Sequence, residues 1–213
     1  MSISALLTLT QWLSPSFPIS AFAYSHGLEH VIDRGDIADA DGLRVWISDI
    51  LCYGGINSDG VLLAAAYRAG PADISDIDDV ARAFAASSER LVETVDQGRA
   101  FSRTAGEIWD LDIPPLTYPV AVGYAAKQQD IPLNTVLGVF LQASAANLIS
   151  AAVRLVPLGQ TQGQTVLAGL APIIRDKVQK LIASEIEDLS SNCFALDIAA
   201  MHHETQYSKV FRT

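Results

Sequence analysis

Two short clusters hold the imidazoles of this chain. The first, Ser25-His26-Gly27-Leu28-Glu29-His30, sets two histidines four residues apart, and the second, His202-His203-Glu204, sets two beside a carboxylate. On a helix, the i, i+4 spacing puts both rings of the first cluster on one face, as a metal-binding helix requires. A hydrolytic zinc helix, however, reads His-Glu-x-x-His, because the glutamate beside the first histidine must reach the metal-bound water. Here the order is His-Gly-Leu-Glu-His, with the glutamate on the wrong side of the turn. A surface or partly buried histidine pair is the plainer reading of the first cluster. A transient metal contact is the sharper reading of the second. No metal-ligand set and no cofactor is assigned.

Other chemistries lack their parts. There is no GxxxxGK[ST] loop, no GxGxxG after a strand and no GxSxG elbow. The glycine-bearing stretches GGINSDG and PLGQTQGQ have neither the lysine nor the flanking strand of a phosphate site. No catalytic residue is assigned, and the chain reads as a non-enzyme.

Composition narrows the class further. The 213 residues carry a formal net charge of −10, and half of them are hydrophobic. The 14 Lys and Arg are scattered, so the surface repels phosphate backbones, and neither nucleic acid nor a membrane is an expected partner. Two distant cysteines, Cys52 and Cys193, form no CxxC motif and read as reduced thiols of a cytoplasmic protein. The apolar N-terminal stretch meets its first basic residue only at Arg34, so it lacks the positive region of an export signal. The richest apolar run, Leu133 to Leu158, is interrupted by Asn134, Gln142, Asn147 and Arg154 and fails as a membrane span.

The elements that must position these residues read as helices throughout. Ile3–Leu13 is amphipathic and stops at Ser14-Pro15. The periodicity predicts a helix from about Ala21 to Gly35, and another capped by Asp39 or Asp41. Ser58 is placed to cap Asp59–Arg68, Ser75 or Asp76 begins a stretch broken once before Trp109, and Tyr118–Gln129 follows. From Val136-Leu137 to Ala152-Val153, apolar pairs recur every four residues. Such a stripe drifts about 40° per step around a helix, so it presents apolar surface over much of the circumference. Thr135–Leu155 is therefore read as the central buried helix, ended by Pro157, with Gln162–Leu189 following and Pro172 as a candidate kink. The expected fold is an all-α, single-domain helical bundle over residues 1–213, with 202–213 a tail that orders on partner binding. In that tail Tyr207, Val210 and Phe211 are expected on one helical face as interface anchors.

Four stretches together resemble the urease accessory protein UreF family: SPSFPISAFAYSHGLEHVIDRG, QGRAFSRTA (Gln97–Ala105), SAAVRLVPLGQTQGQ (Ser150–Gln164) and HETQYSKVFRT at the C-terminus. Ser20 stands where the family pattern has glycine, and Lys209 where it has arginine. The resemblance implies an all-α, dimerising non-enzyme that binds UreD (also called UreH), recruits the GTPase UreG and serves nickel delivery to apo-urease. It places partner-binding roles on His26, Gly27, Leu28 and Glu29, on Arg154, Pro157, Gly159, Gln160 and Gln164, and on Glu204, Tyr207 and Arg212. Phe211 joins these as a tail anchor. Two rival readings are a metal-dependent hydrolase using His26, His30, His202 and His203, and a helical oligomerisation module unrelated to urease.

Overall fold

The computed structural model describes residues 2–213. Among them are ten α-helices and no strand: α1 (Ile3–Trp12), α2 (Leu28–Asp33), α3 (Ala40–Tyr53), α4 (Gly55–Arg68), α5 (Ile74–Ala83), α6 (Ser88–Trp109), α7 (Tyr118–Gln128), α8 (Leu133–Leu155), α9 (Gln160–Leu181) and α10 (Phe194–His203). The all-α, single-domain reading holds. One contiguous apolar cluster draws side chains from all ten helices.

Local chemistry sets most boundaries. Ser2, Asp39 and Ser87 each accept an N-terminal amide with the side chain, capping α1, α3 and α6. Pro132 precedes α8, where its fixed φ suits helix entry. Helix α9 runs through Pro172 and ends at Leu181, followed by a separate 3₁₀ turn at Ile186–Asp188 rather than one helix to Leu189.

Helix α8 is central, packing on α1, α2, α3, α4, α7 and α9. Contrary to the sequence reading, its polar interruptions do not disqualify it as a span: by length and composition it is apolar enough to cross a membrane, and half of its most apolar window is buried inside the bundle. Helix α4 is buried more completely, with ten of the eleven positions from Ile56 to Ala66 buried. It starts at Gly55, not Asp59. Ser58 is no cap but an interior residue whose hydroxyl donates to the Ser190 carbonyl at 3.0 Å. Small residues let neighbouring backbone come close. A Cβ on Gly98 of α6 would lie 2.0 Å from the Leu116 carbonyl oxygen, so only glycine fits beneath the α6–α7 connection.

The expected helix from Ala21 to Gly35 is two pieces. A 3₁₀ turn covers Ala21–Ala23, and α2 begins only at Leu28. Between them His26 and Gly27 lie at φ of 54° and 74°, left-handed values that reverse the chain. His26 and His30 consequently share no helix face. Ser20 is also left-handed, at φ 58°. A residue with a Cβ is strained there, which is the physical reason a glycine suits this position. Ser20→Gly should raise stability by up to about 1 kcal/mol, read as a higher midpoint in urea with an unchanged slope.

Candidate functional site

The reversal at His26-Gly27 aims the N-terminus of α2 at the end of the chain. Gly27 is fixed twice over. Its φ is positive, and a Cβ would stand 2.7 Å from the Ala200 amide nitrogen of α10. With α10 that close, Glu29 and His203 come together in the interior. The Glu29 carboxylate accepts the backbone N–H groups of Val210 at 2.7 Å and Phe211 at 2.8 Å. His203, completely buried, has Nε2 3.3 Å from Glu29 and Nδ1 2.7 Å from Glu89. Glu89 in turn accepts from Lys209 Nζ at 2.7 Å, and Lys209 also donates to the Glu204 carbonyl. Where the family pattern has an arginine, Lys209 serves as a point charge bridging two acceptors.

Residues 210–213 close onto the segment before α2. The Arg212 amide donates to the Ala23 carbonyl at 2.8 Å, the Ser25 amide to the Thr213 carbonyl at 2.9 Å, and the Ser25 hydroxyl also donates to that carbonyl. Phe211 is only 3% exposed, and the Arg154 guanidinium lies 4.6 Å from its ring centroid. Such a cation over an aromatic face contributes about 0.5–2 kcal/mol. Arg154 reaches the Phe22 carbonyl as well, so the end of α8 holds both strands of the closure. Glu204 accepts from the Ser88 amide and hydroxyl at 2.8 and 2.7 Å, tying the tail to the start of α6. The Ser88 hydroxyl bond draws the Glu204 carboxyl below its ordinary range.

Behind this clasp lies a second polar layer on α4 and α6. Arg90 pairs with Glu93 and with Asp59 at 3.6 Å, and His26 Nε2 sits 2.8 Å from Glu93. The Thr213 hydroxyl donates to Glu93 at 3.1 Å, joining the two layers. Burial alone pushes the Glu93 carboxyl up. The Arg90 guanidinium and then His26 overcome it and hold the group at about 2. Asp59 goes the other way, raised because burial outweighs its longer contact with Arg90. Beside this layer opens a cavity of about 460 Å³, with His26, Asp59, Arg90 and Glu93 at its polar end and Leu13, Ile19 and Phe140 among its apolar walls.

Of the residues singled out in the sequence, the fold brings His26, Gly27, Leu28, Glu29, Arg154, Glu204, Phe211 and Arg212 into one region. Pro157, Gly159, Gln160 and Gln164 lie exposed at the α8–α9 turn and the start of α9. The expected helical face of Tyr207, Val210 and Phe211 does not form, because regular helix ends at His203. Instead Phe211 points inward, while Tyr207 is fully exposed and Val210 largely so. Residues 202–213 lie docked on their own chain. The histidines also part company: His30 stacks on His202 with centroids 5.3 Å apart, whereas His26 and His203 each face glutamates. Among the described residues no group of three or more His, Cys, Asp or Glu is placed to hold a metal ion. Sequence reading missed Glu93, Arg90, Asp59 and Glu89. The first had a signal: Glu93, Gln97, Phe101 and Ala105 form one buried i, i+4 stripe on α6.

Comparison with known proteins gives these contacts a setting. The family model for UreF matches residues 37–171. A urease accessory protein UreF from Roseobacter denitrificans is 62% identical over all 213 residues and 96% of its own length. Relatives of the same name from Ruegeria sp. and Ruegeria pomeroyi are 50% and 46% identical, covering 100% and 98% of this chain and 100% and 96% of their own. These relatives extend over the first and last resembling stretches, which the family model leaves out. The class is thus that of a urease accessory protein, all-α and not itself an enzyme. The chain belongs to the UreF family.

The depressed Glu93 carboxyl has a pH consequence. Its folded value lies below its ordinary 4.5, so the stability it contributes is fully present above about 4.5 and is lost as the pH falls toward 2. At 1.4 kcal/mol per pH unit this amounts to about 3 kcal/mol. Asp59, being raised, acts in the opposite direction and blunts the net loss. Urea midpoints measured at steps between pH 5 and pH 2 should fall with acid, and Glu93→Gln should flatten that fall.

Proposed function

We propose that this chain is a nickel-insertion scaffold of the cytoplasm that binds UreD (UreH), recruits UreG and acts on apo-urease, itself as a homodimer. One observation carries this reading. Three of the four resembling stretches supply the clasp directly, through Ser25 to Glu29, Arg154 and the tail from Glu204 to Thr213. The remaining one begins at Gln97, whose amide donates to Glu93 within the same polar region. A shared pattern that converges in space supports a shared task.

Apolar side chains are exposed on α10 and the tail. Phe194, Ile198 and Met201 recur along α10 at helical spacing and are exposed, as are Tyr207 and Val210 in the tail. Exposed aromatic and methionine side chains are anchor types at interfaces. The clasp fixes them in place, so a partner meets an ordered surface and loses less conformational entropy on docking. We assign these side chains to UreD and leave the exposed α8–α9 turn, with Pro157, Gly159, Gln160 and Gln164, as a second contact surface.

Tyr207→Ala tests the assignment. The side chain is fully exposed, so the fold should be unchanged by circular dichroism and melting. Co-purification with cognate UreD, read by light scattering, should show at least ten-fold weaker binding, the loss of about 1.4 kcal/mol or more expected of an anchor. Normal binding by this variant would remove the tail from the interface. Failure of the parent chain to bind either UreD or UreG at tens of micromolar would overturn the scaffold reading itself.

A further inference from the structure

The manner in which the tail is held resembles recognition of a ligand more than the packing of a core. Exposure alternates along Val210, Phe211, Arg212 and Thr213, which are out, in, out and in. Val210 and Phe211 lie at bends, where consecutive amides turn toward one acceptor. The main chain is read at four points. Val210 and Phe211 donate to the Glu29 carboxylate, Arg212 donates to Ala23, and Thr213 accepts from Ser25. The two inward side chains each enter a dedicated place, Phe211 under Arg154 and the Thr213 hydroxyl against Glu93. Main-chain hydrogen bonds for affinity, with separate seats for individual side chains for specificity, are how a bound peptide is held.

The connection to the rest of the chain is slight. Regular helix ends at His203, and Thr205, Tyr207, Ser208 and Lys209 are exposed. The linking residues are held by polar contacts of Lys209, Glu204 and Gln206. The seat must be filled, since Glu29 is buried and needs its amide partners, and an identical segment offered by another molecule makes identical contacts. Exchange of identical elements between copies carries little energetic penalty for that reason.

We propose that the cleft formed by Ala23–Glu29, His203, Glu93 and Arg154 is a recognition site for a short, bent peptide, with Val210–Thr213 as its resident ligand, and that it accepts the same residues from the tail of a second copy. The Glu29 carboxylate is the principal reader of the main chain. Phe211 is the principal side-chain determinant.

Two full-length variants test this by complementation. Phe211→Ala weakens the tail and leaves the cleft intact, whereas Glu29→Gln damages the cleft and leaves the tail intact. A tagged Phe211→Ala chain should capture the Glu29→Gln chain at least ten-fold more than it captures an untagged Phe211→Ala chain. Equal capture of the two overturns the proposal. Should either variant fail to fold, the parent chain supplies the second measurement. A synthetic peptide of residues 204–213 in excess should speed hydrogen exchange at the chain's own Val210 and Phe211 amides at least ten-fold, because it displaces the resident tail. The same peptide with alanine in place of Phe211 should not. Exchange rates unchanged at saturating peptide overturn the proposal as well.

Discussion

A carboxylate inside a protein is tolerated only when its charge is met, and most of this structure's local order follows from how Glu29 is met. It is nearly inaccessible, yet it accepts two backbone amides and faces an imidazole. Leaving it without those partners would cost several kcal/mol, far more than an ordinary hydrogen bond contributes. Each partner therefore fixes an element. The two amides fix the tail, and His203 fixes the end of α10. The short α2 that carries Glu29 is aimed by the left-handed pair His26-Gly27. Gly27 in turn must lie against α10, so the requirement closes on itself.

The second polar layer extends the same logic to α4 and α6. Arg90 is flanked by Glu93 and Asp59, and their protonation behaviour diverges because one carboxylate is held closely and the other at a longer distance. Such networks are stabilising only when every member has a partner. Here Thr213 completes Glu93, so the end of the chain is part of the network rather than an appendage. Outside, apolar side chains are exposed along α10 and at Tyr207, so in this UreF-family chain the buried polar groups hold the shape of the region.

Much of this was legible in advance. Helical periodicity identified α1, α3, α7 and α8, and α8 proved central as its four-residue apolar repeat required. Caps at Asp39 and the stop at Pro157 followed from side-chain chemistry. The burial of α4 was not legible, because Ser58 reads as a cap and GGINSDG as a glycine-bearing stretch until the close approach of Leu181 and the Ser190 carbonyl is known. The run from Ala21 to Gly35 was misread as one helix, since nothing local announces a left-handed histidine. His26 adopts that conformation because contacts with Glu93, Arg90 and Thr213, from distant parts of the chain, hold it there.

Periodicity, caps and a pattern of residue types along the chain were enough for the fold class, the family and most of the helices, but not for α10, which lay in no expected helix. The resembling stretches also marked residues that the fold brings together, without saying what each would touch. It took the tertiary structure to bring the backbone of the tail onto Glu29, to divide the four histidines between carboxylates and a stacked pair, and to turn Phe211 inward while Tyr207 faces solvent. The reason is physical. Periodicity is a property of neighbours along the chain, whereas the partner of a buried charge is chosen by whatever distant segment the packing brings within hydrogen-bond reach.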